Sequence, residues 1–504
     1  MRAICLLTRC QILLFIGLLV NIIILLYLLK VQNDLQYGRP QVQYKNKVEK
    51  VQYAEFTDSV TLIIREFEDF ENYVVATLKG ILGIIPDLQV LVFTDHQPYP
   101  PLLLNEVPNA RLVVLHPSAE QSWSSSLPHT YIKTPFLLII PDAVKLVDPH
   151  SLLSAFNYLK QHSYLSSVAL VTGRDHSSCL NLHVDLRRWT LTYENTGLFQ
   201  ECDAVSGEHA ILTRSDKFLE FPFSFLQPMT TGFYIQAALR DWKSIIFKDS
   251  VFVGNPNLFS DPHKKWKHKK QVAVRLKNLY KQLRIKKVVL PGDGHVMWYG
   301  CTKETTRCFG TVVNDMPEYI YEGKWTPPCC LEAVRTTSRH VFQILEDCKV
   351  RYWLEGGSLL GAARSGDIIP WDYDVDIGIY KEDIGKCQPL VECEKEKFVD
   401  PEGFLWEKAT EGDFFRVQYS SSNHMHVDIF PFYSKNSTMT KDTWIPGHRQ
   451  DTEFPEKYLN PLTKVPFAGS MASAPNNVRE FLEFKFGEGV IENPRYPNSN
   501  RVIR

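Results

Sequence analysis

The stretch from residue 352 to residue 379 constrains the fold of this chain more than any other. A short apolar run at 352–354 leads into Gly356, Gly357 and Ser358, which predicts a strand that breaks at the glycines and continues as a helix. The first turn of a helix leaves backbone N–H groups unpaired, and such groups bind phosphate. The break therefore predicts a phosphate site.

Acidic and apolar residues alternate just after this turn. Asp372, Asp374 and Asp376 are predicted to share one face of a strand, with neighbours about 6.6 Å apart at Cα and the outer two about 13 Å apart. Crowded carboxylates repel each other unless a cation lies among them, and oxygen ligands favour Mg²⁺ or Mn²⁺. We expect Asp374 and Asp376 to be the firmer ligands, while Asp372 completes the shell or binds a second ion. A solvated acidic edge strand is the alternative, and the upstream turn makes it the weaker one.

A long apolar segment lies near the N-terminus. Residues 12–29 with their flanks are long enough to cross a bilayer of about 30 Å. Arg2 and Arg9 precede the segment, so the short N-terminal side is expected in the cytoplasm. The segment is too long for a signal-peptide core, and no cleavage site follows it. We therefore expect a cytoplasmic tail at 1–9 and an uncleaved signal anchor at 10–30, with the rest of the chain in the secretory lumen.

The length and net charge of the chain limit the number of domains and the kinds of partner to be expected. Its 504 residues suffice for two or three domains, and its net charge of −1 shows no bulk preference for polyanions. Residues 31–50 are polar and lack a helical apolar stripe, which predicts a stalk. The sequon at Asn436, Ser437 and Thr438 is compatible with a lumenal location.

Strands and helices alternate through residues 51–290. A helix is predicted at 70–82, and buried strands at 60–64, 89–93, 110–115 and 136–140. Apolar strands separated by helices predict a mostly parallel α/β sheet. Their order resembles a glycosyltransferase-A domain, whose fourth strand is followed by a metal-binding Asp-x-Asp. Only Asp142 stands there in this chain, so we expect a non-catalytic stem; within it, Cys179 and Cys202 are expected to form a disulfide.

A strongly basic segment closes this domain. Residues 263–287 contain eleven Lys or Arg and no acid, and apolar residues at 272, 276, 279 and 283 recur at helical spacing. The basic face is either simply solvated or a binding surface for an anionic, phosphate-bearing acceptor or an acidic membrane. Turn-forming residues at 291–294 then predict a domain boundary.

The C-terminal part is expected to contain a helix at 331–348 and a strand at 424–430. His424, His426 and Asp428 fall on one face of that strand. An acid among apolar residues needs a cation or a donor, so Asp428 is expected to join the aspartate trio. It would either ligate the metal or accept a proton from an attacking hydroxyl, and pairing with a nearby Lys or Arg is the alternative.

Further side chains are candidates for binding a nucleotide donor. Arg364 follows the glycine turn and could bind a phosphate bidentately, as could Arg449 and Arg495. Trp371 and Tyr496 could stack on a base, although aromatic residues beside proline more often pack.

Four of the eleven cysteines lie at the start of the C-terminal part, at positions 301, 308, 329 and 330. Zn²⁺ binds four thiolates tetrahedrally. The spacing departs from paired C-x2-C motifs, and a secretory compartment also permits two disulfides. The residues themselves leave zinc and disulfides equally open.

Two motifs together resemble the LicD family of nucleotidyltransferase-fold phosphotransferases, which use cytidine-diphosphate donors. They are the run from Trp353 to Gly361 followed by 371–376, and the later run from His426 to Pro431. The chain as a whole, with an anchor, a glycosyltransferase-like stem and then these motifs, is similar to members of that family over nearly its full length. The expected fold is an α/β stem followed by an α+β catalytic domain at 291–504.

The resemblance implies an activity and a location. It implies metal-dependent transfer of ribitol 5-phosphate from CDP-ribitol to a ribitol 5-phosphate on the O-mannosyl glycan of α-dystroglycan, with release of CMP. The enzyme would be a single-pass type II protein of the Golgi membrane with a lumenal catalytic domain. A homo-oligomer is expected, with related glycan-extending transferases as further candidate partners and no nucleic-acid partner.

The resemblance also assigns residues. It implies structural zinc in an insertion at 301–330, on Cys301, Cys308, Cys329 and Cys330. It places the metal acids on Asp372, Asp374 and Asp376, while the catalytic role expected of Asp428 rests on the strand pattern alone. Donor-binding positions fall on Gly357, Arg364, Trp371, Asp372, Tyr373, Asp374, Val375, Asp376, Arg449, Gln450, Glu492, Asn493 and Pro494. The glycine turn itself adds Gly356 and Ser358 as further expected donor-binding residues.

Two alternatives stay open at this point. One is another CDP-alditol or phosphocholine transferase, because the motifs define the nucleotidyl chemistry and not the group carried. The other is a non-catalytic Golgi scaffold that recruits glycosyltransferases through its stem.

Overall fold

The computed structural model describes residues 21–22, 24–27, 53–172, 177–196, 201–307, 309–313, 316–445 and 447–497. The predicted tail and stalk and most of the predicted anchor lie outside these residues. Residues 21–22 and 24–27 are helical, and no helix within the described ranges has the length and apolar character needed to span a membrane.

The stem begins with a helical turn at 53–59. Its strands are β1 (Val60–Ile64), β2 (Gln89–Thr94), β3 (Ala110–Val114), β4 (Phe136–Ile140), β5 (Val144–Leu146), β6 (Ser167–Val171), β7 (Cys179–Asp185), β8 (Thr190–Asn195), β9 (Glu201–Cys202), β10 (Ala204–Val205), β11 (His209–Arg214), β12 (Ser244–Phe247), β13 (Phe252–Gly254), β14 (Lys287–Val289) and β15 (Val296–Trp298). Its helices are α1 (Val74–Leu82), α2 (Pro128–Tyr131), α3 (Pro149–Gln161), α4 (Ser215–Leu219), α5 (Met229–Ala238) and α6 (Pro262–Gln282), with 3-10 turns at Leu104–Glu106 and Trp123–Ser126.

The main stem sheet has the order β3-β2-β1-β4-β11-β6-β12-β9. The four strands expected from the apolar runs are present, and β1 to β4 are mutually parallel, as predicted. Strands β1 and β4 are buried along their whole length, which explains why they read as unbroken apolar runs. The helix after β1 starts at Val74 and not at residue 70, because residues 68–71 form an isolated bridge first.

The far side of the stem departs from a purely parallel sheet. Strand β11 pairs antiparallel with both β4 and β6, and a second sheet has the order β10-β7-β8-β14-β15. Strands β7 and β8 of this second sheet are only partly buried, so they lack the unbroken apolar runs of β1 and β4. The predicted disulfide between Cys179 and Cys202 is present and ties β7 to β9.

The basic segment forms helix α6, as predicted. The Asp261 carboxylate accepts a hydrogen bond from the Lys264 amide at its start, and Pro262 occupies the first turn. Leu279 is fully buried against the stem core, while most of the lysines face solvent. The helix ends at Gln282, earlier than the basic run itself.

The C-terminal part has helices α7 (Glu318–Tyr321), α8 (Pro328–Asp347), α9 (Gly356–Ser365), α10 (Gln388–Cys393) and α11 (Val478–Phe486). Its strands are β16 (Tyr352–Leu354), β17 (Asp374–Tyr380), β18 (Phe398–Val399), β19 (Leu405–Lys408), β20 (Phe415–Gln418), β21 (His426–Lys435), β22 (Thr438–Thr440), β23 (Phe454–Pro455), β24 (Thr463–Phe467) and β25 (Ser470–Ala474), with 3-10 turns at Lys381–Lys386 and Glu456–Leu459.

One sheet forms the centre of this domain, in the order β16-β17-β21-β20-β19-β18. Only β17 and β21 pair in parallel along it, which gives the α+β character that was predicted. Helix α8 covers the sheet with Val341 and Leu345, both fully buried. A Cβ atom on Gly378 would overlap the indole of Trp353, so the two central strands approach closely at that glycine.

The stem and the C-terminal domain are in direct contact. Strand β15 pairs with β14 in the stem sheet, so that sheet continues past the turn predicted to separate the domains. Trp189 of the stem is buried in the core of the C-terminal domain, and its Nε1 donates to the Trp325 carbonyl at 2.8 Å. The Arg188 guanidinium lies 4.2 Å above the Trp325 ring. These contacts hold the stem beside the C-terminal domain.

Candidate active site

Strand pairing brings the glycine turn to the acidic residues. Strand β16 runs antiparallel to β17 with Leu354 opposite Ile377, and the next amide, that of Glu355, donates to the Asp376 carbonyl at 3.0 Å. Helix α9 starts at Gly356. Its N-terminus therefore lies at the end of β17 that carries Asp374 and Asp376.

Glycine is required where the turn meets the carboxylates. Gly356 has a φ of +52°, in the left-handed region that glycine favours. A Cβ atom on Gly357 would lie 3.0 Å from Oδ2 of Asp372, and one on Gly356 would lie 3.8 Å from Oδ2 of Asp376. A larger residue would fill the space between the helix N-terminus and the acids.

Ser358 connects the turn to the strand. Its amide donates to the Glu355 carbonyl at 3.1 Å, and its hydroxyl accepts from the Asp376 amide at 2.9 Å. Both groups are thus engaged within the protein. Ser358 therefore has a structural role, since it joins the glycine turn to strand β17. The Gly356 and Gly357 amides are the N–H groups at the N-terminus of α9.

The acids do not all belong to the strand. Strand β17 begins at Asp374, and Asp372 lies in a preceding turn in which its amide donates to the Ile369 carbonyl. The prediction that all three acids share one strand face is therefore wrong for Asp372, because Pro370 and this turn keep it out of the sheet. Asp372 nevertheless faces the site, since its carboxylate lies against Gly357.

Strand β21 adds the second side of the site. Its parallel register with β17 places His426 beside Asp374 and Asp428 beside Asp376. His426 Nε2 lies 3.9 Å from Oδ2 of Asp374 and 3.8 Å from Oδ2 of Asp428. His424 precedes this strand, and its Nδ1 hydrogen-bonds to the side chain of Gln418, the residue that pairs with His426.

Burial makes these carboxylates costly to ionise. It raises the pKa of Asp374 well above its usual range, and the adjacent Asp372 carboxylate raises it further. Burial also raises the pKa of Asp376, with repulsion from Asp374 and Asp428 adding to the effect. The pKa of Asp372 rises to about 6, again chiefly through burial. A bound cation favours the ionised form and would remove this cost.

The donor set fits a hard divalent ion. Carboxylate oxygens are the ligands that Mg²⁺ and Mn²⁺ prefer, and Asp374 and Asp376 approach from adjacent same-face positions of one strand. In the described part of the chain, three carboxylate oxygens do not lie within 4.8 Å of one another, so the side chains must rotate slightly to share an ion. Asp374 and Asp376, with Asp372, are the residues that would hold it.

Asp428 is paired with an arginine. Arg416 donates from Nε and Nη2 to the two oxygens of Asp428, at 2.8 Å each, across the β20–β21 pair. The alternative considered for this acid, an ion pair with a neighbouring cation, is thus present. Asp428 still adds negative charge beside Asp374 and Asp376, but both of its oxygens are engaged.

Arg364 lies away from the helix N-terminus. It is in the last turn of α9, and its guanidinium donates to the carbonyls of Val490 (2.6 Å) and Ile491 (3.2 Å). These contacts fasten the C-terminal segment to the domain. They do not support the predicted phosphate contact, because the helix places Arg364 at its opposite end.

The remaining donor candidates lie on two surface segments. Arg449 is exposed and Gln450 half-buried in the segment before β23. Glu492, Asn493 and Pro494 are exposed, and Glu492 pairs with Arg479 at 2.5 Å. None of their described contacts reaches the acids.

Trp371 and Tyr373 flank the acids and are half-buried, while Val375 is buried in the core. The Trp371 and Tyr496 rings meet edge to face at 5.4 Å. Tyr496 also donates to the Lys324 carbonyl at 2.5 Å, so its role in the structure is packing.

Two buried cations near the site escaped sequence reasoning. Lys485 of α11 forms a buried ion pair with Glu355, just before the glycine turn. Lys441 is buried, pairs with Asp451 at 2.8 Å and lowers the pKa of Asp376 against the larger effect of burial. Both are isolated lysines far along the chain, and no local pattern marks them.

Three of the four predicted zinc cysteines meet. The sulfur atoms of Cys301, Cys329 and Cys330 lie within 4.8 Å of one another, with Sγ of Cys301 3.6 Å from Sγ of Cys330. The Cys301 amide donates to Sγ of Cys329 at 3.2 Å, and a hydrogen bond from the Cys301 thiol lowers the pKa of Cys329 to about 7. Cys330 is also in a disulfide, while Cys308 lies outside the described residues. A further disulfide, not predicted, joins Cys348 and Cys387.

Family models match both halves of the chain. The model for the fukutin-related protein stem domain covers residues 47–291, and the model for the LicD/FKTN/FKRP nucleotidyltransferase domain covers residues 349–477. The second match contains the glycine turn, the acidic strand and β21. The C-terminal domain is thus of the nucleotidyltransferase class.

Similar proteins extend this result to the full length. Ribitol 5-phosphate transferase FKRP is 45% identical to this chain in Homo sapiens and 44% in Mus musculus, each over 492 residues and 98% of both chains. Human ribitol-5-phosphate transferase FKTN is 28% identical over 172 residues, which is 31% of this chain and 33% of that protein. The mannosyltransferase PcManGT from Pyrobaculum calidifontis, solved in complex with GDP-Man and Mn2+, aligns with 45% of this chain and 65% of its own at 13% identity, and its TM-score of 0.29 is too low to bear on the fold. The chain belongs to the fukutin-related protein family.

Proposed function

We propose that this protein transfers ribitol 5-phosphate from CDP-ribitol to a ribitol 5-phosphate at the end of an acceptor glycan, releasing CMP. The observation that carries the proposal is the meeting of two half-buried carboxylates, Asp374 and Asp376, with a helix N-terminus opened by Gly356 and Gly357. The names of the similar proteins, which are ribitol 5-phosphate transferases, give the group transferred. The O-mannosyl glycan of α-dystroglycan is the proposed acceptor.

The glycine amides, the aspartates and Ser358 have separate roles in the proposed phosphoryl transfer. The N–H groups of Gly356 and Gly357 bind phosphate oxygens of the donor, and the positive end of the α9 dipole favours their charge. Asp374 and Asp376, with Asp372, would hold Mg²⁺ or Mn²⁺, and a divalent ion bound there would supply positive charge to offset that of the donor phosphates. Ser358 maintains the distance between the turn and the strand through its bond to the Asp376 amide.

The proposed setting is the Golgi lumen. Residues 10–30 would anchor the chain as a single-pass type II protein and place the C-terminal domain on the lumenal side. A homo-oligomer and related glycan-extending transferases are the proposed partners there.

A donor comparison tests the proposed reaction. The lumenal portion is incubated with CDP-ribitol, CDP-glycerol or CDP-choline and a phosphorylated acceptor, with and without EDTA, and CMP release is measured. We expect CMP release with CDP-ribitol that EDTA abolishes. A preference for CDP-glycerol or CDP-choline would move the assignment to another CDP-dependent transferase, and no release with any donor would favour a scaffold.

We also propose that Cys301, Cys308, Cys329 and Cys330 hold a structural zinc ion. Four thiolates at about 2.3 Å from zinc are about 3.8 Å apart in a tetrahedron, close to the 3.6 Å between Cys301 and Cys330. The N–H bond to Cys329 and its lowered pKa favour a thiolate there. A disulfide on Cys330 is the oxidised alternative for the same cluster.

Metal analysis separates zinc from disulfides. Protein purified without chelators is expected to contain about one zinc per chain, and Cys329→Ser is expected to lose it and to unfold at a lower temperature. Cys393→Ser is the matched control, because Cys393 is a buried free cysteine whose thiol bonds the Leu390 carbonyl outside the cluster. Zinc-free protein in which the four cysteines resist alkylation would show that they form disulfides instead.

The basic face of α6 is the proposed contact for the acceptor's own phosphate. Lys269, Lys270 and Lys277 are exposed on it, and within the described residues they form no ion pair. Replacing all three with Glu is expected to raise the acceptor KM by tenfold or more and to leave the donor KM unchanged, since the reversed charges repel a phosphate. Steady-state kinetics at two ionic strengths measures this, and unchanged acceptor kinetics would refute it.

A further inference from the structure

The sequon at residues 436–438 has no part in the proposed reaction. It is the only Asn-x-Ser/Thr triplet in the 504 residues of the chain. Such triplets also arise by chance, and they accept an oligosaccharide only where the asparagine lies on an accessible surface. The position of Asn436 in the fold is therefore the decisive observation.

Asn436 lies at the tip of a hairpin. Strands β21 and β22 pair with Lys435 opposite Thr438, so Asn436 and Ser437 alone form the connection. Their φ angles are +52° and +59°, which is typical of the type I′ turn in two-residue hairpin loops. Asparagine tolerates a positive φ, and this turn holds its side chain outside the sheet.

The carboxamide of Asn436 is not engaged by the protein. The residue is exposed, and its side chain forms no hydrogen bond to any other described residue. By contrast, the side chains of Asn109, Asn423 and Asn476 each donate an N–H to a backbone carbonyl. Substitution at Nδ2 of Asn436 therefore breaks no contact in the structure.

Strand β21 separates this turn from the acids. The strand begins at His426, which pairs with Asp374, and ends ten residues later at Lys435. At about 3.4 Å per residue, the turn is roughly 30 Å from the start of the strand. An oligosaccharide on the turn leaves the donor site open.

We propose that Asn436 carries an N-linked oligosaccharide. The proposal rests on the lumenal location proposed above, because the cell's oligosaccharyltransferase modifies chains as they enter the secretory lumen. It uses an oligosaccharide linked to a lipid through a diphosphate, and it requires a hydroxyl at the third position of the sequon, here that of Thr438.

The transfer replaces one bond with another. Nδ2 of Asn436 forms a bond to C1 of the first sugar, and the bond between C1 and the diphosphate oxygen breaks. The lipid diphosphate leaves, and Nδ2 releases one proton to the medium, so that nothing is oxidised or reduced. The oligosaccharide is bulky and hydrated, and it keeps this end of the C-terminal domain in solvent.

Enzymatic deglycosylation tests the proposal on the full chain expressed in animal cells. Peptide N-glycosidase releases N-linked oligosaccharides and converts the modified asparagine to aspartate. We expect the digestion to increase the mobility of the protein on a denaturing gel. Tandem mass spectrometry should find aspartate at position 436 in the digested sample and not in the undigested one.

Variants of the turn locate the modification. Asn436→Asp and Thr438→Ala should each abolish the change in mobility, and Asp also tolerates the positive φ. Ser437→Gly is the matched control, because it alters the same turn and leaves the sequon complete; it should keep the oligosaccharide. CMP release by Asn436→Asp should equal that of the wild type, since the turn lies far from the acids.

A second sequon separates this proposal from the location on which it rests. Glu120 lies in an exposed turn of the stem, and Glu120→Asn completes a sequon with Gln121 and Ser122. In the Thr438→Ala background it should restore the change in mobility.

Three outcomes would overturn the proposal. An unmodified wild type beside a glycosylated Glu120→Asn variant would mean that the chain is lumenal and that Asn436 is not used. Absence of oligosaccharide from both would contradict the lumenal location, and the proposal with it. An oligosaccharide that persists in Asn436→Asp would place the modification elsewhere.

Discussion

Asp374→Asn is expected to reduce ribitol 5-phosphate transfer by at least about a thousandfold. The substitution keeps the shape of the side chain and removes one of the two charges on β17 that would hold the divalent ion. An ion in such a site contributes several kcal/mol to stabilising the charge of the transferred group, and roughly 4 kcal/mol corresponds to a thousandfold in rate. Steady-state CMP release at saturating donor and Mn²⁺ measures the effect.

Stability measurements distinguish this effect from misfolding. Burial and neighbouring carboxylates raise the pKa of Asp374, so ionised Asp374 opposes folding in the absence of metal. Asn at this position removes that repulsion, and the melting temperature in EDTA should stay the same or increase. In the wild type Mn²⁺ should raise the melting temperature, because it binds only the folded protein, and in the variant this increase should be smaller or absent.

The control is Asp442→Asn in the same domain. Asp442 forms an exposed ion pair with Lys381 and lies outside the acid cluster. The Asp442→Asn variant should keep its transfer activity, and Mn²⁺ should raise its melting temperature as it does in the wild type. Full activity in Asp374→Asn would contradict a catalytic role for this acid and favour the scaffold.

Lys485→Met is expected to destabilise the C-terminal domain by about 3–5 kcal/mol. Lys485 and Glu355 have side-chain exposures of only 1% and 7%, so the variant leaves a buried carboxylate without its cation. For a domain of about 200 residues, even the lower value corresponds to a decrease of roughly 6–12 °C in melting temperature. Differential scanning calorimetry measures it.

A double variant separates the charge from the packing. Glu355→Gln combined with Lys485→Met removes both charges, and we expect it to recover much of the lost stability. Arg479→Met on the same helix is the control, because Arg479 is exposed and its pairs with Glu483 and Glu492 contribute little. Equal losses in the single and double variants would mean that the aliphatic contacts of Lys485, not its charge, stabilise the domain.

The position of Lys485 also predicts an effect on activity. Glu355 immediately precedes Gly356, and its amide bonds the Asp376 carbonyl. An unpaired Glu355 would disturb the start of α9. We therefore expect the Lys485→Met variant to bind the donor less well even while its secondary structure is intact.

The glycine turn and the acidic strand could be predicted because each is encoded locally. A Gly-Gly-Ser break after an apolar run produces a helix N-terminus, and alternation on a strand determines which face carries Asp374 and Asp376. The parallel pairing of β17 with β21 then brings Asp428 to the same place. Asp372 departed from the strand because a turn at Ile369 intervenes.

Contacts over long sequence distances could not be predicted. Lys485 and Glu355 are 130 residues apart, and Arg364 bonds carbonyls more than 120 residues away. The antiparallel strands of the stem were missed for a different reason. Strands β7 and β8, for example, combine buried and exposed residues, and such runs carry less signal than the fully buried strands β1 and β4.

The position of the bound ion tests the account most directly. A crystal of the lumenal portion soaked with Mn²⁺ and CDP is measured near the manganese absorption edge, and an anomalous difference map locates the ion. We predict a peak about 2.1 Å from carboxylate oxygens of both Asp374 and Asp376, with a CDP phosphate on the Gly356 and Gly357 amides. A map with the peak elsewhere, or with CDP bound away from the start of α9, would contradict the account.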